Sequence, residues 1–136
     1  MNARQGFSID LPLDVSAVES GRLALMAYLE PLGIEDRVIN RLEVVLEELV
    51  SNVARHADAA TRLTLLASAE ADGIHLCIED DGAPFNPLDA PEHAGFDKLE
   101  DAQLGGLGIP LIKRLTRSIE YERSGSLNRM RAVIAT

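Results

Sequence analysis

A carboxylate and an amide lie one helical turn apart in the segment 44–56, which reads VVLEELVSNVARH. Glu48 and Asn52 are four positions apart, so on a helix their side chains meet on one edge. An amide oxygen can bind Mg²⁺ beside phosphate oxygens. A partly desolvated carboxylate one turn away could accept a proton from an attacking hydroxyl. The same pair is also typical of a solvated helix surface, so it indicates chemistry only together with other motifs.

Two neighbouring side chains are less suited to that chemistry. The apolar residues of the segment follow the helical period and define an inward stripe of Leu42, Val45, Leu49 and Val53. Glu47 falls on the opposite, wet side of this stripe, whereas Glu48 borders it. His56 falls on the stripe, which favours a packed, hydrogen-bonded histidine over a catalytic one.

A second group of candidate residues follows a predicted strand. The segment 78–87, IEDDGAPFNP, ends an apolar run with two aspartates, a glycine and two prolines. The chain already carries a formal net charge of −9, so further carboxylates at the end of a buried strand need a specific reason. The stretch from 80 to 106 is rich in Gly, Pro, Asp and Asn, and a loop of this length is more often functional than idle.

The third group is the glycine-rich segment 105–112, GGLGIPLI, at the start of a predicted short helix. Glycines let the backbone approach an anion closely, and the N–H groups at a helix start can bind phosphate. The segment is not a Walker motif, because no Gly-Lys-Ser/Thr follows. It also lacks the strand–turn–helix context of a dinucleotide-binding fold. An ordinary glycine-rich loop is the alternative.

Periodicity predicts three helices and five strands that would position these motifs. The helices are expected from an N-cap at Asp14 to Pro31 and Gly33, from 35 to 57, and from 107 to 115. The strands are expected at 7–13, 62–69, 74–79, 118–122 and 129–134, with hairpin turns at 71–73 and on Ser124, Gly125, Ser126 and Asn128. This order predicts a single α+β domain, 1–136, with helices on one face of a mixed, mostly antiparallel sheet.

Composition excludes several classes of function. A pI near 4.7 argues against direct nucleic-acid binding, which needs a basic face. No apolar run approaches the roughly 20 residues that span a bilayer, so no membrane segment is expected. The lone Cys77 excludes a disulfide framework and favours a cytoplasmic location. With no basic neighbour in sequence to activate it, Cys77 is expected to be an inert core thiol.

Taken in order, the three motifs are much more specific than any one of them. The sequence resembles the GHKL superfamily of ATP-binding domains, most closely the anti-sigma-factor serine/threonine kinases of bacterial stress response and sporulation. Segments 44–56, 80–87 and 105–112 are similar to the N box and the two glycine boxes of that superfamily. The implied fold is its two-layer α/β sandwich, called the Bergerat fold.

The resemblance implies a function for the acidic residues at the end of the strand. Asp80 would accept a hydrogen bond from the adenine amino group, which selects adenine over guanine. Gly82 would let the chain pass close beneath the base, and Asp81 would be a solvated neighbour. Pro84 and Phe85 would fix the turn and form a wall of the pocket.

The resemblance also implies how the phosphates of ATP would be bound. Asn52 would hold Mg²⁺ and Glu48 would be the general base. Backbone N–H groups of the second glycine box would contact the phosphates, from Gly105, Gly106, Leu107 and Gly108. Residues 88–104 would form the lid. Some kinases of this group carry a basic residue just before that glycine box; here Gln103 and Leu104 occupy the stretch, and Lys98 is the candidate substitute.

The implied function is an ATP-dependent serine/threonine-protein kinase that phosphorylates a small anti-anti-sigma antagonist of the STAS type. Its further partner would be a sigma factor, and a homodimer is expected from the family likeness alone. One alternative is a catalytically weak ATP-binding adaptor of the same fold. Another is the catalytic domain of a histidine kinase, which would need a neighbouring phosphoacceptor histidine, and no histidine precedes His56.

Overall fold

A computed structural model describes residues 6–56, 59–89 and 108–136. The strands are β1 (Phe7–Leu11), β2 (Leu63–Glu70), β3 (Gly73–Asp80), β4 (Ser118–Ser124) and β5 (Leu127–Ile134). The helices are α1 (Ala17–Leu29), α2 (Asp36–His56) and α3 (Gly108–Leu115), with short 3₁₀ turns at Glu30–Leu32 and Pro87–Asp89. Within the described residues, no helix is both long enough and apolar enough to cross a membrane.

The five strands form one sheet in the order β1-β2-β3-β5-β4, and each neighbouring pair is antiparallel. Side chains alternate along each strand, so one face of the sheet carries the fully buried residues Leu65, Ile74, Leu76, Ile78 and Ile134. The helices cover this face: α2 contacts β3 and β5 directly, and α1 and α3 pack against α2. The expected α+β fold, with helices on one face of the sheet, is confirmed.

Helix α2 is the central element of the helical layer. Its predicted inward stripe is almost fully buried, with Leu42, Val45 and Leu49 at most 1% exposed. Burying each such side chain stabilises the fold by roughly 1.5–3 kcal/mol. Glu47 is exposed on the opposite side, as predicted. The packing therefore fixes which edge of α2 borders the candidate site.

The start of α1 differs from the prediction. The N-cap is Ser16 and not Asp14, although Ser16 makes no side-chain capping bond. The Asp14 carboxylate instead accepts hydrogen bonds from the Ser16 backbone N–H, at 2.8 Å, and the Ser16 hydroxyl, at 2.6 Å. The aspartate thus orders the turn before the helix. At the other end, Gly33 closes the following 3₁₀ turn in the left-handed conformation, with φ 66°, as its position in the sequence suggested.

The C-terminal hairpin is longer than predicted. Its turn is the pair Gly125–Ser126, because Ser124 is already paired with Leu127. Gly125 has φ 60°, a conformation that glycine adopts without strain. Asn128 therefore lies within β5 and not in the turn. Together with Met130 it faces the helices and is buried, which places a polar side chain beneath the candidate site.

Candidate functional site

Asp80 ends β3 at the bottom of a pocket between the sheet and α2. It is 5% exposed, and its Oδ1 accepts hydrogen bonds from the Gly82 backbone N–H at 2.9 Å and from Asn128 Nδ2 at 3.0 Å. Among the described residues, none donates a hydrogen bond to Oδ2. One oxygen of this buried carboxylate is thus fixed by the protein, and the other is available to a ligand.

The walls of this pocket are mainly apolar. Asn52, Asp80 and Asn128 provide its polar groups, and its apolar lining is Leu49, Val53, Ile78, Phe85, Pro87 and Met130. Its volume is only about 20 Å³, far below the roughly 300–1,000 Å³ of ligand pockets. The pocket in this conformation is therefore too small to hold a nucleobase. A larger hollow of about 450 Å³ lies on the outer face of the sheet and contains none of the three motifs.

Asn128 connects Asp80 to the loop that follows it. Its Oδ1 accepts hydrogen bonds from the Tyr121 hydroxyl and, at 3.2 Å, from the Phe85 backbone N–H. Its Nδ2 donates to Asp80 and, at 2.9 Å, to the Ala83 carbonyl oxygen. The two donors on the oxygen fix the orientation of the amide, so Asn128 always presents its N–H group to the aspartate. Sequence reasoning missed this residue; counting strand alternation back from Met130 could have found it.

Asp81 has a structural role on the other side of the strand end. Its carboxylate accepts hydrogen bonds from the Thr61 N–H at 2.6 Å, the Thr61 hydroxyl at 2.5 Å and the Arg62 N–H at 2.9 Å. These bonds lower the pKa of Asp81 to about 2. The residue expected to be only a solvated neighbour therefore ties the start of β2 to the end of β3.

Side chains from the C-terminal hairpin fix the conformation of the loop after Asp80. The Gly82 carbonyl oxygen accepts a hydrogen bond from Arg123 Nη1 at 2.8 Å. Gly82 is buried beside Asp80, and its expected place beneath a base stays a prediction. Pro84 is exposed and is not part of the pocket lining. Pro84 was expected to form a wall of the pocket. Pro87, which is buried and lines the pocket with Phe85, forms that wall instead.

Asn52, the amide of the carboxylate–amide pair of α2, lines the same pocket, and an arginine contacts both members of the pair. Asn52 is 7% exposed, and its Oδ1 accepts a hydrogen bond from Arg55 Nη2 at 2.8 Å. The same Arg55 nitrogen lies 3.3 Å from Glu48 Oε2. Burial raises the pKa of Glu48, and the positive charge of Arg55 opposes that shift. Asn52 Nδ2 is buried without a hydrogen-bond partner among the described residues.

Gly108, the first residue of α3, brings the second glycine motif to this pair. A Cβ atom on Gly108 would lie 2.2 Å from Glu48 Cδ, so the carboxylate occupies the space that any larger side chain would need. Several predicted positions fall outside the described residues: Gly105, Gly106, Leu107, Lys98, Gln103, Leu104, the lid beyond Asp89 and the side chain of His56. The structure thus brings together Glu48, Asn52, Asp80 and Gly108.

The match to a known family covers nearly the whole chain. Residues 11–134 match the model of the histidine kinase-like ATPase domain. The chain belongs to this family. The resemblance to the GHKL superfamily, drawn from the three motifs, is thereby confirmed.

Two relatives show which members of the histidine kinase-like ATPase family this chain is similar to. It is 28% identical over 127 residues to the serine/threonine-protein kinase BtrW of Bordetella bronchiseptica, covering 87% of this chain and 88% of the relative. It is 26% identical over 120 residues to the serine-protein kinase RsbW of Listeria monocytogenes, covering 83% of this chain and 76% of the relative.

Solved structures support the fold of this ATPase domain. The RsbU and RsbW domains of a Mycobacterium tuberculosis protein superpose with a TM-score of 0.69 at 14% identity, covering 97% of this chain and 32% of that one. The histidine kinase AdeS of Acinetobacter baumannii superposes with a TM-score of 0.51 at 22% identity, covering 97% of this chain and 68% of that one. At these identities the likeness concerns the fold alone.

Proposed function

We propose that this protein is an ATP-dependent serine/threonine-protein kinase of the anti-sigma type. The observation that carries the proposal is the buried Asp80, whose Oδ2 has no donor among the described residues and lies in the same pocket as the Asn52 amide. The two relatives, a serine/threonine-protein kinase and a serine-protein kinase, agree with this proposal.

Adenine would be recognised through Asp80. An ionised carboxylate only accepts hydrogen bonds, so Oδ2 would pair with the amino group of adenine and would repel the carbonyl oxygen at the corresponding edge of guanine. Asn128 and Gly82 hold the other oxygen, which fixes the direction of the acceptor. The base would lie between the apolar side of α2 and Phe85.

The residues beside the pocket suit the phosphates and a metal ion. A cationic guanidinium already contacts Asn52 Oδ1, so this oxygen is oriented to face positive charge, and Asn52 would hold Mg²⁺. Among the described residues, no group of three or more carboxylate, histidine or cysteine side chains could bind a metal; the phosphates and water would supply the remaining ligands. When bound, the ion would neutralise charge on the phosphate oxygens.

Glu48 would be the general base of phosphoryl transfer. Its carboxylate would accept the hydroxyl proton of the substrate serine or threonine while the substrate oxygen bonds to the terminal phosphorus. The bond from that phosphorus to the bridging oxygen would break, and ADP would leave. Burial, which raises the pKa of Glu48, also makes its carboxylate a stronger proton acceptor.

The partners in this proposal follow from the family resemblance. The substrate would be a small anti-anti-sigma antagonist of the STAS type, and phosphorylation would weaken its complex with the kinase. The kinase would then be free to sequester a sigma factor, acting in the cytoplasm as a homodimer. A catalytically weak ATP-binding adaptor is the second candidate, favoured by Gln103 and Leu104 in place of a basic residue before the second glycine motif.

Labelled ATP separates the two candidates. The full chain is incubated with Mg²⁺, ATP labelled at the terminal phosphate and a candidate antagonist, and ATP binding is measured in parallel. A kinase transfers label to a serine or threonine of the antagonist. ATP binding without label on any candidate antagonist would favour the adaptor. Absence of ATP binding would contradict both.

A further inference from the structure

Arg55 is the charged residue of the site that the proposed reaction does not use. It lies on α2, three residues after Asn52 and seven after Glu48, so its side chain reaches both. The guanidinium nitrogen Nη2 is 2.8 Å from Asn52 Oδ1 and 3.3 Å from Glu48 Oε2. The Arg55 and Glu48 side chains are 32% and 16% exposed, so this ion pair is partly shielded from water.

Arg55 favours one orientation of the Asn52 amide. A guanidinium has only donors, so it must face the amide oxygen and not the amide nitrogen. The amide nitrogen is consequently buried, and it has no hydrogen-bond partner in the part of the chain that the structure describes. Leaving a buried donor unpaired is unfavourable. The contact with Arg55 therefore stabilises an orientation that presents Oδ1 to a cation.

Glu48 makes the corresponding contact on the anionic side. Its carboxylate packs against the backbone of Gly108, in the space where a Cβ atom would be. The first N–H groups of a helix have no partner within the helix and attract negative charge. The ion pair thus places a cation on the expected metal ligand and an anion at the expected phosphate-binding glycine.

We propose that the Arg55–Glu48 ion pair takes the place of the metal ion and a phosphate group in the nucleotide-free protein. The inference rests on the proposed function, because it takes Asn52 and Gly108 as contacts of the metal and the phosphates. A guanidinium and Mg²⁺ repel each other and cannot both contact Asn52 Oδ1 closely. Binding of Mg²⁺ together with ATP must therefore displace Arg55, whereas metal-free ATP can bind beside it.

The ion pair makes ATP binding less dependent on magnesium. With EDTA, Arg55 supplies positive charge near the phosphates. With Mg²⁺, it competes for the Asn52 oxygen. Removing Arg55 weakens ATP binding in EDTA and strengthens ATP binding with Mg²⁺. Both effects raise the ratio of the dissociation constant in EDTA to the dissociation constant in Mg²⁺.

The test compares ATP dissociation constants measured by calorimetry in EDTA and in excess Mg²⁺. Arg55→Gln is expected to raise the ratio of the EDTA value to the Mg²⁺ value by about tenfold, the size expected for a charge-assisted contact. Arg41→Gln is the matched control, because Arg41 is an exposed arginine of the same helix and the substitution removes the same charge. Arg55→Lys keeps the charge and should retain most of the wild-type ratio.

The outcomes distinguish the inference from the function on which it rests. An unchanged ratio in Arg55→Gln, or equal weakening under both conditions, would overturn the ion-pair proposal and leave the proposed function standing. The same holds if Arg41→Gln changes the ratio as much as Arg55→Gln, since bulk charge would then be the cause. Failure of the wild-type protein to bind ATP under either condition would contradict the proposed function and, with it, this inference.

Discussion

Adjacent residues on α2 give the most direct test of the proposed general base. Glu48 borders the pocket and packs against Gly108, whereas Glu47 is exposed on the other side of the helix. Glu48→Gln should slow phosphoryl transfer at least about 100-fold, because the amide cannot accept the hydroxyl proton. ATP affinity should change little.

Glu47→Gln is the control, since it removes the same charge from the next position. Its transfer rate should match that of the wild-type protein. The measurement is the initial rate of labelling of the antagonist at saturating ATP, with ATP affinity determined separately. Equal rates for the two variants would exclude Glu48 as the base.

The two aspartates at the end of β3 provide a second pair of a tested residue and a control residue. Asp80→Asn replaces an acceptor with a group that can present N–H to the adenine amino group and to Asn128. ATP affinity should fall by about ten- to a hundredfold. Asp81→Asn should leave ATP affinity unchanged, because Asp81 bonds to Thr61 and Arg62 outside the pocket. Binding titrations on both variants decide the matter, and normal ATP affinity in Asp80→Asn would show that the pocket assignment is wrong.

Among the elements, helix α2 was predicted well and the C-terminal hairpin less well, for physical reasons. The apolar stripe of α2 repeats over many turns, so its buried face follows from periodicity. The start of β5 depends on a two-residue turn, and the sequence around Gly125 allows several turn lengths. An error of two residues in the strand start placed Asn128 outside the site.

The contacts within the site were harder to predict than the elements. The role of Glu48 was proposed from its spacing to Asn52, and the role of Asp80 from the family resemblance. The position of Arg55 between Glu48 and Asn52 depends on side-chain directions. Pro84 and Pro87 could not be distinguished as pocket walls, because the path of the loop is fixed by tertiary hydrogen bonds to Asn128 and Arg123.

At the junction of α2 and α3, a side chain at position 108 would displace the Glu48 carboxylate. Gly108→Ala would place its Cβ where the Glu48 carboxylate lies in the nucleotide-free protein and where a phosphate is proposed to bind, and a displacement of about 1 Å at a reacting group can cost about 100-fold in rate. The turnover number should therefore fall. Gly33→Ala is the control, because Gly33 has a positive φ and no neighbouring atom within 4 Å.

The Gly33 variant should lower the melting temperature without changing the turnover number at a temperature where it is folded. Turnover numbers and thermal melts of both variants are the measurements. Loss of activity in Gly33→Ala equal to that in Gly108→Ala would indicate a general effect of instability. Full activity in Gly108→Ala would show that phosphoryl transfer does not need a residue without a side chain at position 108.

The link between the ends of β2 and β3 should weaken in acid. Hydrogen bonds hold the pKa of Asp81 at about 2, below the ordinary value of an aspartate side chain. A group with a lowered folded-state pKa stabilises the fold above its unfolded pKa and loses that effect as pH falls through the folded value. The melting-temperature advantage of wild type over Asp81→Asn should be constant from pH 5 to 7 and shrink between about pH 4 and 2. An advantage unchanged down to pH 2 would contradict this role.

For the molecule as a whole, the acidic composition and the proposed ligand oppose each other. A net charge of −9 repels ATP at long range. In the proposed function, binding would come from local groups: the acceptor Asp80, backbone N–H groups, and either a metal ion or, without the metal, Arg55. Adding salt screens the long-range repulsion but leaves the shielded contacts almost unchanged, so the site can function within an acidic protein.

In the part of the chain that the structure describes, the helices lie on one face of the sheet, and Cys77, expected to be a core thiol, is half-buried on the other face. Burial and the neighbouring Glu79 raise the pKa of the thiol to about 11, and only the thiolate is reactive. At pH 8 a thiol reagent should therefore label the folded protein far more slowly than the protein unfolded in guanidinium, where the thiol regains its ordinary pKa. The labelling rate of the folded protein should rise steeply above pH 9, and rapid labelling at pH 8 would show that the sheet face does not protect Cys77.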